Sequence, residues 1–169
     1  RAYGILPRKL AAPAMTDVDL LIHARWIIPV QPAGITLEHH SLAIRDGRIV
    51  ALVPRTETAS FNARDSITLD HHALLPGLVN AHTHAAMSLF RGLADDLPLM
   101  EWLNKHIWPA EMKWVGGEFV QDGTQLAIAE MLTSGTTCFS DMYFFPEVTA
   151  HVVQEAGMRA CVGLIVLDF

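Results

Sequence analysis

The chain has 169 residues, 51% of them hydrophobic, and a formal charge of −6. That apolar content excludes an intrinsically disordered chain and suffices for one domain or slightly more. The 12 basic residues are scattered with no block of Lys or Arg, so no nucleic-acid partner is expected, and a small nucleoside-sized ligand is easier to accommodate.

Residues 1–16 contain "RAYGILPRKLAAPAM", which lacks the continuous apolar core of a signal peptide. They read as a leader or tag, with Met15 as a natural start. "DVDLLIHARWIIPV" (17–30) predicts one or two short strands. "SLAIRDGRIVALVP" (41–54) predicts a hairpin that turns at Asp46-Gly47. A further strand is expected at Ser66–Leu69, so residues 17–75 read as a small antiparallel β unit. Two histidine pairs here, His39-His40 and His71-His72, read as surface or turn residues.

"LLPGLVNAHTH" (74–84) changes the character of the chain. Pro76-Gly77 punctuates, and a buried strand is expected over 78–82 because apolar and polar residues do not alternate cleanly. "LPLMEWLNKHIW" (97–108) is helical in pattern. A helix is predicted over 118–133, with Leu126, Ala129 and Leu132 at helical spacing and Gly135 as its stop. A strand near 136–140 follows, then a helix between Pro146 and Gly157, then a buried strand over Cys161–Leu167. Strand, helix, strand, helix, strand is the signature of a parallel α/β sheet or barrel. Three such strands cannot close a barrel of eight. The chain therefore reads as part of a longer protein, with a small open sheet as the other reading.

No apolar stretch reaches the ~20 residues of a membrane-spanning helix, so no membrane partner is expected. Cys138 and Cys161 lie far apart in apolar runs and read as two buried free thiols, which favours a cytoplasmic location.

His82 and His84 carry the chemistry. Positions i and i+2 of a strand point the same way, so two imidazoles converge at the carboxyl end of a strand, where α/β folds place their active sites. Alone, an H-x-H pair is more often structural or surface than metal-binding. Its context fits a divalent metal, zinc first, with iron or manganese as alternatives. Two ligands are too few for a catalytic zinc, so further ligands and the catalytic groups are expected beyond Phe169.

The run "LLPGLVNAHTHAAMSLFRGLADDLPLMEWL" (74–103) resembles the opening of the amidohydrolase superfamily, where a P-G-h-h-[DN]-x-H-x-H segment ends the first strand of a (β/α)8 TIM barrel. "IWPAEMKW" (107–114) and "SGTTCFSDMYF" (134–144) are similar to the 5-methylthioadenosine/S-adenosylhomocysteine deaminases within it. The resemblance covers about residues 17–169. It implies an α/β fold: an incomplete barrel, residues 76–169, preceded by part of a composite β-sandwich, residues 17–75.

The resemblance also implies a metal-dependent hydrolase that removes ammonia from the adenine ring of 5-methylthioadenosine, S-adenosylhomocysteine or adenosine. This portion alone is expected to be inactive. Other expectations are a guanine or cytosine deaminase, a triazine hydrolase, or a non-catalytic barrel scaffold; a homo-oligomer is left open. By analogy His82 and His84 are metal ligands, Glu111 accepts hydrogen bonds from the ribose hydroxyls, and Trp102 walls the nucleoside pocket. Trp108 and Trp114 are read as core, Asp95 and Asp96 as turn residues, and Arg91 as half of a salt link. Asp141 is expected to hold backbone or a partner of a ligand. Some deaminases of this group carry an arginine near Gly163, and this chain has "CVGLIVLD" there.

Overall fold

The structure, a computed structural model, describes residues 15–166. The expected leader up to residue 14, and the end of the last strand at Leu167, lie outside the described residues. The chain divides into two compact units at Pro76/Gly77.

The first unit is a four-stranded sheet in the order β3-β2-β1-β4. Its strands are β1 (Thr16–Ile27), β2 (Leu37–Arg45), β3 (Arg48–Pro54) and β4 (Phe61–Leu74). The β2–β3 hairpin turns at Asp46-Gly47, both with positive φ, as a tight hairpin turn requires. The unit is not wholly antiparallel. β1 runs antiparallel to β2 but parallel to β4. The cause is the long connection through β2 and β3, which returns β4 to the far side of β1 in the same direction. Local patterning marks a strand but carries no information on such a crossover. Val18, Leu21 and Ala43 form the core, with Ala51, Phe61 and Ala63 packed against it.

The second unit holds a parallel sheet in the order β5-β6-β7: β5 (Leu78–Thr83), β6 (Thr136–Met142) and β7 (Arg159–Gly163). Helix α3 (Gly117–Thr133) joins β5 to β6, and α4 (Pro146–Glu155) joins β6 to β7. Phe139 of β6 is fully buried beneath Ala127, Ile128 and Met131 of α3 and Val152 and Val153 of α4. Burial of one such ring contributes about 1.5–3 kcal/mol.

Four expectations are corrected here. The face α3 buries is Val120, Gly123, Thr124, Ala127, Ile128 and Met131, while Leu126 and Leu132 are exposed. Both sets recur at helical spacing, but only the buried set carries Gly123, which lets α3 close on the Ala86 backbone beneath it. β5 is not buried: Leu78 and Val79 are 59% and 66% exposed. Neighbouring strand residues face opposite ways, so both faces of this edge strand are open. The last strand is β7, Arg159–Gly163, earlier than expected. Finally, Cys138 and Cys161 are free but not buried, Cys161 being exposed, because both lie on the sheet face that the helices leave open.

Between β5 and α3 runs a 3-10 turn, Ala85–Phe90, then α1 (Leu99–Trp102), a π turn over Leu103–Ile107 and α2 (Trp108–Trp114). Asp96 takes a positive φ in the turn before Pro98. Arg91 grips Glu130 of α3 with two hydrogen bonds, 2.8 and 2.6 Å. Among the described residues no helix is long and apolar enough to cross a membrane.

Candidate metal and nucleoside site

β5 delivers His82 to its carboxyl end, and His84 follows one residue beyond the strand. The two rings meet edge to face with centroids 5.5 Å apart. His84 is half-buried and His82 exposed. His84 Nδ1 lies 2.6 Å from the carbonyl oxygen of Met142. A carbonyl only accepts, so Nδ1 carries the proton and donates it, which in the neutral tautomer leaves the lone pair on Nε2. This is the arrangement that orients a metal-ligating histidine. Two imidazoles on one tetrahedral zinc, with Zn–N bonds of about 2.0–2.1 Å, have centroids about 5–6 Å apart. The 5.5 Å centroid spacing of the pair falls within that range. Among the described residues no cluster of three or more His, Cys, Asp or Glu side chains is gathered, so the chain offers this pair as two candidate ligands.

Three consecutive residues at the end of β6 build the surroundings. Asp141 is 2% exposed, and its Oδ1 accepts the backbone N–H of Ala85 at 2.8 Å, pinning the turn that follows His84. Asp141 Oδ2 is buried and takes no hydrogen bond from the described residues. Burial pushes the Asp141 carboxyl up, opposed by the Ala85 N–H, the neighbouring His84 and the Met142 N–H. Met142 supplies the carbonyl that orients His84. Tyr143, 4% exposed, places its ring 6.1 Å from that of His84 and donates its hydroxyl to Glu111 Oε1 at 2.7 Å. Burial first, then the Glu111 carboxylate, pushes the Tyr143 phenol far up, so it remains a donor.

The structure therefore brings Glu111, on α2, to the histidines through Tyr143. Tyr143 itself was missed by sequence reasoning. It sits at i+2 from Asp141 at a strand end, and that shared-face spacing was the available signal. Trp102 is half-buried on α1, and among the described residues the aromatic contacts of the histidine pair are with each other and with Tyr143. Trp108 and Trp114 are not core, at 45% and 60% exposed. The short helix α2 turns them outward, and Lys113 covers the Trp114 ring at 4.7 Å. Gly163 ends β7 beside the Asp141 carbonyl, 3.4 Å from where a Cβ would stand.

α3 closes the site from below. A Cβ on Gly123 would collide with the carbonyl oxygen of Ala86 and stand 2.8 Å from its Cα. Only glycine admits this approach. Val120 of α3 packs with Ala86 and Tyr143 in one buried cluster.

Residues 73–169 match the profile of the amidohydrolase family. The chain is 61% identical over 155 residues to a 5-methylthioadenosine/S-adenosylhomocysteine deaminase of Saccharophagus degradans, covering 91% of this chain and 35% of that protein. It is 45% identical over 151 residues to a 5'-deoxyadenosine deaminase of Methanosarcina barkeri, covering 88% and 34%. Among solved structures it superposes on an adenosine deaminase of Xanthomonas campestris with bound zinc, at a TM-score of 0.89 and 49% identity, covering 92% of this chain and 36% of that one. The chain thus spans about a third of the length of the relatives it matches.

Proposed function

The chain belongs to the amidohydrolase family, and we propose that the whole protein is a metal-dependent deaminase of adenine nucleosides. Its substrates are 5-methylthioadenosine, S-adenosylhomocysteine or adenosine, and its products are the 6-oxo nucleoside and ammonia. Residues 17–75 form the first part of a composite β-sandwich, and residues 76–169 the first βα units of a (β/α)8 barrel. The observation that carries the reading is one continuous chain of contacts. It runs from His82 to His84, from His84 to Tyr143, and from Tyr143 to Glu111.

His82 and His84 would hold one divalent metal, zinc by preference, with the remaining ligands supplied by other parts of the protein. The chemistry such a metal would supply there is an activated water for attack on C6 of the ring. The chain's own residues bind and orient. Met142 O keeps the His84 proton on Nδ1. Glu111, ionised, offers acceptor oxygens to the ribose hydroxyls. Trp102 walls the nucleoside pocket with its apolar face. Without the rest of the site this portion alone is inactive. The free cysteines fit a reducing cytoplasm.

The test is ammonia release by the full-length, zinc-loaded protein. Ammonia release from 5-methylthioadenosine, S-adenosylhomocysteine or adenosine, with no ammonia from guanine or cytosine and no chloride from a chlorotriazine, supports the proposal. Turnover of only the latter three assigns a different branch of the family. Protein purified without stoichiometric zinc, iron or manganese, and inert towards all six, is a scaffold.

A further inference from the structure

Among the described residues, the hydrogen bond from the Tyr143 hydroxyl to the Glu111 carboxylate is the one side-chain bond joining the end of β6 to α2, and the deaminase reading leaves it without a task. We infer that Tyr143 is a positioning residue for ribose recognition: its hydroxyl fixes Glu111 Oε1, so that the carboxylate faces a vicinal diol at a set distance from the histidine pair. The inference rests on the nucleoside reading and deepens it.

Three observations carry it. The bond is short, 2.7 Å, and its donor is on a side chain 4% exposed, whereas Glu111 is half-buried on a short helix. The rigid partner is therefore Tyr143. Its ring is wedged with Ala86 and Val120, and Met87, Val115, Phe119 and Val148 pack against that cluster. The carboxylate has acceptor capacity to spare: each ionised oxygen offers two lone pairs, and one phenol occupies only one of the four. Finally, Tyr143 belongs to a continuous triplet. Asp141 pins Ala85 after His84, Met142 orients His84, and Tyr143 holds Glu111. One strand end thereby sets the distance between the metal-side group and the sugar-side group. That distance decides whether a bound nucleoside presents C6 or misses. The phenol must stay protonated for this task. Ionised, it would repel the carboxylate it holds, and burial together with that carboxylate keeps its proton in place.

The experiment measures equilibrium binding of inosine and 2′,3′-dideoxyinosine to the full-length holoenzyme by calorimetry. These product-type nucleosides do not turn over, so the readout is separate from deamination. The wild-type protein is expected to prefer inosine, and Tyr143→Phe to shrink that preference about tenfold, chiefly by weakening inosine. Glu111→Gln shrinks it too, and the double variant falls no further than the lower single one, because both act on one contact. In turnover, Tyr143→Phe raises KM for adenosine more than it lowers kcat.

Four results overturn the inference: wild-type protein that binds the two nucleosides equally or binds neither, an unchanged preference in Tyr143→Phe, equal weakening of both ligands, or additive single effects. Failure of the deaminase assay with diol preference intact and lost in Tyr143→Phe removes the deaminase reading and leaves this inference standing. Should Tyr143→Phe not fold, 4-fluorophenylalanine at position 143 fills the place of the hydroxyl without donating a hydrogen bond. The preference for inosine must then fall as in Tyr143→Phe, and an unchanged preference overturns the inference.

Discussion

At the scale of single residues, what the sequence made legible was the histidine pair. The i and i+2 spacing directs both rings to one strand end without tertiary information, while the final setting of the His84 ring, just beyond β5, comes from the Met142 carbonyl. The resemblance supplied Glu111, since a lone glutamate in "IWPAEMKW" has no local feature that separates it from a solvated one. Tyr143 was not found, because its meaning lies in a partner 32 residues away. Asp141 was correctly read as a holder of backbone, and its energetics give a direct test. Removing the carboxylate strands the Ala85 N–H in a buried turn, and an unpaired buried donor costs about 1–3 kcal/mol. Asp141→Ala in the full-length protein is therefore expected to lower stability by that amount in denaturant titration and to weaken metal binding, since the turn after His84 is released. Unaltered stability would mean that the Ala85 N–H finds another partner.

At the scale of elements, strand and helix positions in the second unit followed from apolar runs and their punctuation, whereas faces did not. The stripe Leu126, Ala129, Leu132 and the buried stripe through Gly123 and Ala127 have the same period, and only contact with the 3-10 turn distinguishes them. Gly123 shows why. Glycine in a helix interior costs about 1 kcal/mol relative to alanine by propensity, yet here a Cβ meets the Ala86 backbone. Gly123→Ala gains in propensity and loses more by forcing α3 off the turn, and overpacking of this kind costs about 1–3 kcal/mol. The net expectation is a less stable protein with weaker metal binding, read as a lower melting temperature and a higher metal Kd. A more stable variant would show that the turn yields freely.

The first unit offers a pH test. His23 on β1 pairs through Nδ1 with the buried Ser41 hydroxyl of β2 at 2.7 Å. Burial first, then the Arg55 charge, holds its imidazole below the free-chain value of 6.5. A base whose folded value is depressed contributes stability that is fully present above the unfolded value. That contribution is lost as pH falls through the folded value. Amide hydrogen exchange in β1 and β2 should therefore lose protection, relative to His23→Gln, as pH drops below about 6.5. Equal pH dependence in the two proteins would remove His23 as the cause.

At the scale of the whole molecule, the division at Pro76/Gly77 coincides with a change from hairpin punctuation to βαβ alternation. The parallel β1–β4 pairing stayed hidden, because strand direction is set by the connection and not by the strand. On the proposed reading the open edge of β5 and the histidine pair have one physical meaning: each calls for partners beyond the described residues. A metal held by groups from several strands stabilises the folded state only when all of them are assembled, since it binds the native state and not the unfolded chain. Stripping the full-length protein with a chelator should therefore lower its melting temperature and abolish deamination together. Zinc at about 100 times its Kd should restore about 2.7 kcal/mol of stability. His82→Ala should melt at one temperature with or without zinc, with its secondary structure retained and its activity absent. Normal turnover by His82→Ala, or a zinc-dependent melting shift as large as that of the wild type, would place the metal elsewhere in the protein.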